Sequence, residues 1–140
     1  MKHANVSNVA TDFGTLSKQE LRALADKLLD QDPGVIDYCV EFVMAETKGL
    51  WHGRARAMMC RRLKHCQLGT EQQERLSECI LNRLSSGNFS EQFKDQLRLA
   101  LQIDERHTLT ACQLASSSNT SHVRRYSQWA LSIQHARSEA

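Results

Sequence analysis

The residues most suited to chemistry in this 140-residue chain are five basic side chains between positions 51 and 66. No aspartate or glutamate interrupts that stretch, which carries a formal charge of +5. A guanidinium group binds carboxylates and phosphates bidentately and keeps its charge at any physiological pH. The stretch therefore indicates a surface for an acidic protein or for a phosphate backbone. Its basic residues are Arg54, Arg56, Arg61, Arg62 and Lys64, followed by His65.

The same basic residues could instead form ion pairs within the protein. Residues 1–50 carry a net charge of −3, whereas residues 67–140 are balanced, so carboxylates are available on both sides. Exposed ion pairs contribute only about 0–1 kcal/mol each, and they would leave no free basic surface. Both interpretations stay open at this point. The carboxylates available for pairing are Asp37, Glu41, Glu46, Glu71, Glu74 and Glu78.

Further basic residues and two tryptophans extend the candidate surface. Arg98 lies in a later segment, and Arg124 with Arg125 lies near the end of the chain. Trp51 and Trp129 could anchor a protein interface or stack on nucleic-acid bases. A tryptophan near a helix margin is nevertheless most often a core residue.

The motifs give little support to metal binding or catalysis. The five cysteines contain no Cys-x2–4-Cys pair of the kind that zinc sites use. Cys60 and Cys66 would point about 240° apart around one helix. No glycine-rich phosphate loop or Gly-x-Ser-x-Gly turn occurs. We predict no metal, no cofactor and no catalytic residue, and keep a small enzyme or ligand-binding regulator as a minor alternative.

Seven helix-start signals, fourteen to twenty residues apart, define the elements that must position these side chains. Ser17 with Glu20 predicts a capping box, and Asp32-Pro33 predicts an N-cap before a first-turn proline. One proline, six glycines and 41% apolar residues favour an all-α fold of about seven antiparallel helices. The signals lie at Ser17, Asp32, Trp51, Thr70, Ser90, Asp104 and Thr120.

Helical spacing of apolar residues predicts the buried faces and the boundaries. The second helix should run to Lys48-Gly49, where glycine would supply a left-handed cap. The first fifteen residues lack periodicity and predict a flexible tail, followed by one domain over residues 16–137. The first helix is expected to bury Leu21, Leu24, Ala25, Leu28 and Leu29.

The chain shows no feature that predicts membrane attachment or export. No segment approaches the ~20 apolar residues that span a bilayer, and residues 1–15 contain no signal-peptide core. An odd number of cysteines in a chain of this size predicts reduced thiols. We therefore expect a cytoplasmic protein without a membrane partner.

Residues 118–131 resemble the inner-helix signature of HEAT and armadillo-type repeats. They combine a short polar turn with Val123-Arg124 and then Ala130-Leu131. The segments at 32–35 and 51–57 echo the same pattern. The resemblance implies an α-solenoid that binds partners along one face, and it carries over no catalytic residue. A compact helical bundle is the alternative.

In a solenoid, alternate helices share a face, which would align the basic residues of the third, fifth and seventh helices. In a bundle they would scatter. The leading hypothesis is a helical-repeat interaction module that binds an acidic protein partner through this basic face. The alternative is a helical domain that binds the nucleic-acid backbone without reading sequence.

Overall fold

The computed structural model describes residues 13–139, and no β-strand occurs among them. Short 3-10 turns lie before and after the first helix and before the fifth, at Phe13–Thr15, Leu28–Asp30 and Glu91–Phe93. The prediction of an all-α chain with seven helices is confirmed over this range. The helices are α1 Lys18–Lys27, α2 Pro33–Met44, α3 His52–Leu63, α4 Thr70–Ser86, α5 Lys94–Ile103, α6 Glu105–Ala115 and α7 Ser121–Glu139.

The predicted caps explain where the helices begin. Ser17 Oγ accepts a hydrogen bond from the Glu20 amide at 3.2 Å, and the Glu20 carboxylate accepts one from the Ser17 amide at 2.9 Å. These hydrogen bonds lower the pKa of Glu20. Asp32 Oδ1 accepts from the amides of Gly34 and Val35. The proline at the first position of α2 costs no hydrogen bond, because an amide there would have no partner within the helix.

The helices form two compact units, of which the first ends at Gly69. In this N-terminal unit, α3 packs against both α1 and α2. Phe13 packs edge-on against Tyr38 and Phe42, with ring centroids 5.2 and 5.3 Å away. Folded structure therefore begins by Phe13 rather than at residue 16, and residues 1–12 of the predicted tail lie outside the described residues. The core includes Leu21, Ala25, Leu28, Ile36, Cys39, Val40, Val43, Met59, Cys60 and Leu63.

Two predictions about the N-terminal unit are wrong. Helix α2 ends at Met44 instead of continuing to Lys48-Gly49, because Ala45 takes an extended backbone with ψ 145°. Leu29 is 69% exposed rather than buried. It follows the end of α1 in a 3-10 turn that closes at Gln31 with a left-handed φ of 59°, and this tighter turn rotates Leu29 outward.

The second compact unit begins at Thr70 and contains α4 to α7. Its most extensive helix pairing is the hairpin of α6 and α7. Gly87, with φ 75°, ends α4 at the break that the sequence predicts. Whether the two units make one domain over 16–137 stays a prediction. The core of the second unit includes Leu76, Ile80, Leu84, Phe93, Leu97, Leu99, Ala100, Cys112, Val123 and Ala130.

None of the helices in the described range is long and apolar enough to cross a lipid bilayer.

Candidate interaction site

A shallow hollow between α1 and α3 in the N-terminal unit, here called the Trp51 groove, combines cations with apolar side chains. Its empty volume is about 240 Å³, including the solvent at its open mouth. The hollow is open rather than enclosed, unlike the concave sites that bury most of a small ligand. It is lined by Lys18, Leu21 and Arg22 of α1 and by Trp51, Ala55 and Met58.

Helical spacing places the lining residues of α1. Lys18 and Arg22 are four residues apart and exposed, whereas Leu21 between them is buried. The two cations therefore stand at the rim while Leu21 contributes to the apolar floor. The sequence-based prediction placed the basic surface on α3 and did not include Lys18 and Arg22 of α1. The available signal was the i, i+4 pair of basic residues beside the buried stripe.

Two cationic side chains lie against the ring of Trp51. Lys18 Nζ lies 4.0 Å from the ring centroid of Trp51, and Arg54 Cζ lies 4.9 Å from it. Both distances fall within the ~6 Å range of cation–π attraction. The Trp51 ring thus has one cation from α1 and one from α3 against it.

No carboxylate neutralises these charges in the described part of the chain. Lys18, Arg22 and Arg54 form no ion pair there, and the groove lining contains no acidic residue. The nearby Glu20 is occupied by the capping box of α1. The groove therefore presents a local positive potential that an external anion would relieve.

Trp51 has an unusual backbone conformation. Its φ of 69° and ψ of −5° lie in the left-handed region, which a bulky residue rarely adopts. Such strain costs of the order of 1–3 kcal/mol and clusters at functional sites. Trp51 still serves as the N-cap of α3, since its carbonyl accepts from the Ala55 amide at 2.8 Å. The preceding Leu50 is 90% exposed, so an apolar side chain lies beside the strained position.

The buried His52 joins the two sides of the groove. Its Nε2 lies 3.3 Å from the carbonyl oxygen of Leu16, just before α1, and its Nδ1 lies 2.7 Å from Thr47 Oγ1. A carbonyl can only accept, so Nε2 carries a proton, and in the neutral imidazole the Thr47 hydroxyl then donates to Nδ1. Arg56 in turn donates to the same hydroxyl oxygen at 2.6 Å and to the Thr47 carbonyl. One imidazole thereby fixes both the start of α1 and the segment before Trp51.

Gly49 makes room for this arrangement. A Cβ atom at residue 49 would lie 2.7 Å from His52 Nε2, closer than real Cβ contacts. The backbone can approach the imidazole only because residue 49 has no side chain. Gly49 was predicted to cap α2, and the structure gives it this different role.

The structure divides the predicted basic stretch of α3. Arg54 lies at the groove, whereas Arg56 points inward to Thr47. Arg62 forms an ion pair with Asp26 of α1, with Nη1 and Oδ1 2.8 Å apart. The predicted single basic face is thus partly used in holding α3 to its neighbours. Helix α3 also ends at Leu63, so Lys64 and His65 fall in the turn after it, next to the exposed Arg61 on the last turn.

The second unit has a tryptophan with two cations of its own. Lys94 Nζ lies 4.9 Å and Arg98 Cζ 5.0 Å from the ring centroid of Trp129. Arg98 also pairs with the mostly buried Asp95, at 3.4 Å. This cluster is therefore partly neutralised from within, unlike the Trp51 groove.

The last two predicted basic residues have local partners. Arg124 donates to the Ser118 carbonyl at 2.7 Å, closing the turn before α7. Arg125 lies over the ring of Tyr126, with its Cζ 5.8 Å from the centroid. Both side chains are exposed but engaged within the unit.

A serine, an aspartate and a histidine lie close together at the start of α6, but the serine hydroxyl is not hydrogen-bonded to the imidazole. Ser77 Oγ donates to Asp104 Oδ2 at 3.0 Å, and His107 Nδ1 lies 2.9 Å from Asp104 Oδ1. Nucleophilic catalysis needs the hydroxyl hydrogen-bonded to the imidazole. Here both groups instead bond the carboxylate that caps α6.

Three of the five thiols, Cys39, Cys60 and Cys112, are core residues. Burial raises the pKa of Cys39 to about 12, with a smaller contribution from Cys66, and burial raises the pKa of Cys112 to about 11. A thiol with so high a pKa is a poor nucleophile and a poor metal ligand at neutral pH. Among the described residues, no group of three or more His, Cys, Asp or Glu side chains could hold a metal ion.

No protein-family model matches the chain, and neither the curated proteins nor the solved structures contain a significant match.

Proposed function

We propose that the chain is a helical interaction module that binds an acidic segment of a partner protein at the Trp51 groove. The observation that carries this proposal is the pair of cations, Lys18 and Arg54, held over one tryptophan ring with no neutralising carboxylate among the described residues. Carboxylates of a partner would form charge-assisted hydrogen bonds with these groups. Aromatic and arginine side chains are also the residues that most often dominate interface energetics.

The apolar part of the groove favours a protein over a nucleic acid. Leu21, Ala55 and Met58 give the hollow an apolar wall, against which an aliphatic or aromatic residue of a partner would pack. A phosphate backbone would contact only the cations. A stacked base would also compete with Lys18 and Arg54 for the exposed part of the Trp51 ring.

The sequence repeat supports a wider version of this proposal. In a HEAT-like stack, α3, α5 and α7 would share a face and add the basic residues Arg98, Arg124 and Arg125 to the binding surface. Small-angle X-ray scattering of the full chain tests this arrangement. An elongated particle would support the solenoid, and a compact one would limit the proposal to the Trp51 groove.

The proposal is tested with a short fluorescein-labelled peptide that carries glutamate and leucine at helical spacing. We expect the peptide to bind, its affinity to fall as salt rises, and the double variant Lys18→Glu, Arg54→Glu to bind at least about tenfold more weakly. Fluorescence anisotropy provides the measurement. The matched control is Arg106→Glu, Arg137→Glu, which changes the net charge equally on exposed residues of the second unit.

Two comparisons make the result decisive. The same peptide with glutamine in place of glutamate should bind much more weakly, and equal binding of the two peptides would contradict the proposal. A single-stranded RNA of similar charge serves as the third probe. If the RNA binds more tightly than the acidic peptide and shows the same dependence on Lys18 and Arg54, nucleic-acid binding replaces protein binding as the function.

A further inference from the structure

The exposed face of α1 and of the turn after it changes sign along its length. Lys18 and Arg22 stand at the groove end, and Asp26 and Asp30 at the other end. Arg22 and Asp26 are four residues apart on α1 and share one side of that helix. Leu29 and Asp30 lie in the 3-10 turn directly after α1, and both are exposed. These four exposed residues, here called the acidic stripe, are basic at the start and acidic at the end.

An apolar side chain protrudes from the acidic end of this stripe. Leu29 is 69% exposed, between the exposed carboxylates of Asp26 and Asp30. The Trp51 groove has the complementary properties, because it combines an apolar floor with a basic rim. The chain thus carries both an acidic segment with an exposed leucine and a shallow basic hollow with an apolar wall.

The two features match in register when two α1 helices lie antiparallel. A contact between Arg22 and Asp30 of a second copy places the two-fold axis near Asp26. A contact between Leu29 of one copy and the groove of the other copy, at Leu21 and Arg22, places the two-fold axis within about one residue of Asp26. Both contacts are then made twice, as a self-complementary two-fold interface requires.

The residue at the axis does not oppose this arrangement. Two copies of Asp26 would meet there, and two free carboxylates would repel. Each Asp26 is already paired with Arg62 of its own chain, with 2.8 Å between Oδ1 and Nη1. The net charge at the axis is therefore small.

We propose that the acidic segment received by the Trp51 groove is that of a second copy of this chain, with Leu29 in the groove and Arg22 against Asp30. This proposal rests on the groove being a site for acidic segments, as proposed above. The stripe is short, and interfaces at the low end of the size range are weak and transient. The dimer is accordingly concentration-dependent and dissociates as salt rises.

Sedimentation equilibrium of the full chain at low salt, over a range of concentrations, tests the dimer. Arg22→Glu and Asp30→Arg, each alone, should raise the dimer dissociation constant at least about tenfold, because each change places two like-charge contacts across the axis. An equimolar mixture of the two variants should dimerise again. In the mixed dimer, the glutamate introduced at position 22 faces the arginine introduced at position 30, and the native Arg22 faces the native Asp30. Both contacts are then attractive.

The controls are Arg106→Glu and Glu78→Arg, which make equal charge changes on exposed residues of the second unit and should dimerise like the native chain. A native chain that stays monomeric at all concentrations, single variants that still dimerise, or variants that fail to complement each other would each overturn the dimer. A monomer that still binds the glutamate–leucine peptide would leave the proposed function intact. A dimer that complements as expected while the peptide does not bind would show that the groove serves self-association alone.

Discussion

At the scale of the residue, His52 shows how one buried side chain sets the geometry of a surface. It bonds Leu16 on one side and Thr47 on the other, and it immediately follows Trp51. Lys18 reaches the Trp51 ring only if the start of α1 and the start of α3 stay at this separation. The buried imidazole of His52 therefore sets the spacing of the two helices that form the groove.

Gly49→Ala tests this positioning. The new Cβ would lie 2.7 Å from His52 Nε2, so the imidazole or the backbone must move. We expect a loss of about 1–3 kcal/mol in the free energy of unfolding, as overpacking typically costs, measured by urea denaturation. Gly14→Ala is the control, since a Cβ there has no atom within 4 Å. Equal stability of the two variants would show that the contact with His52 is easily relaxed.

The lowered pKa of Asp104 predicts that the free energy of unfolding depends on pH. Desolvation acts to raise the pKa of Asp104, but hydrogen bonds from His107 and Ser77 outweigh it and hold the pKa below the usual 3.8. A carboxyl whose pKa is lower in the folded state stabilises the fold above its unfolded pKa. This stabilisation is lost as pH falls through the folded pKa.

The difference in unfolding free energy between the native chain and Asp104→Asn isolates this contribution. We expect the difference to shrink as pH falls from the unfolded pKa of about 3.8 through the lower folded pKa, because Asp104 becomes protonated there. Urea denaturation at several pH values gives the measurement. A difference that grows as pH falls would have the wrong sign and would contradict the hydrogen-bond pattern at α6.

The roles of single arginines were the least predictable part of the site. Arg54 and Arg56 are two residues apart in the same acid-free helix, yet one lies over Trp51 and the other bonds Thr47. The difference depends on which side of α3 faces the segment 45–50. Residue types alone do not contain that information, because the segment's path depends on the early end of α2.

At the scale of the element, helix starts were predictable because they depend on local chemistry. Ser17 and Asp32 cap their helices through hydrogen bonds to amides two or three residues away, and such bonds are visible in sequence. The ends of α1 and α2 were not predictable. Leu29 and Gly49 belong to segments whose course depends on contacts with distant residues, such as the bond from Gln31 Nε2 to the carbonyl of His65 at 2.7 Å.

Gly87 marks a helix end where the sequence and the structure agree, and it supports a prediction. Gly87→Ala places a side chain at φ 75° and a Cβ 3.2 Å from Val123, at the end of α4. We expect the free energy of unfolding to fall by at least about 1 kcal/mol, since alanine is strained where φ is positive. Thermal unfolding followed by circular dichroism measures the loss. Ser85→Ala, on the exposed last turn of α4, should be nearly neutral and serves as the control.

At the scale of the whole molecule, the burial of the cysteines predicts the order in which their thiols are alkylated. Cys39 and Cys60 are buried in the first unit and Cys112 in the second, whereas Cys66 and Cys79 are partly accessible. We expect iodoacetamide to label the latter two first in the native chain, and the buried three only in denaturant. Mass spectrometry of tryptic peptides identifies the labelled residues. Early labelling of Cys112 would show that the core of the second unit opens readily.

The all-α class followed from composition and from seven local start signals, which is why it could be predicted. The candidate site could be predicted only in part, because Trp51 and Arg54 belong to the basic stretch but Lys18 and Arg22 lie about thirty residues earlier in the chain. A groove between two helices is a property of their packing. Helical periodicity predicts which residues are exposed, but it does not predict which exposed residues meet.

The hydrogen bond between His52 and Leu16 also has a consequence for biosynthesis. It joins residues 36 positions apart, so it cannot form until α3 has left the ribosome and met α1. When the chain has emerged from the ribosome only as far as Leu50, the acidic stripe is outside but the groove is incomplete. If the groove binds that stripe, as proposed above, a completed copy can capture a chain still in synthesis.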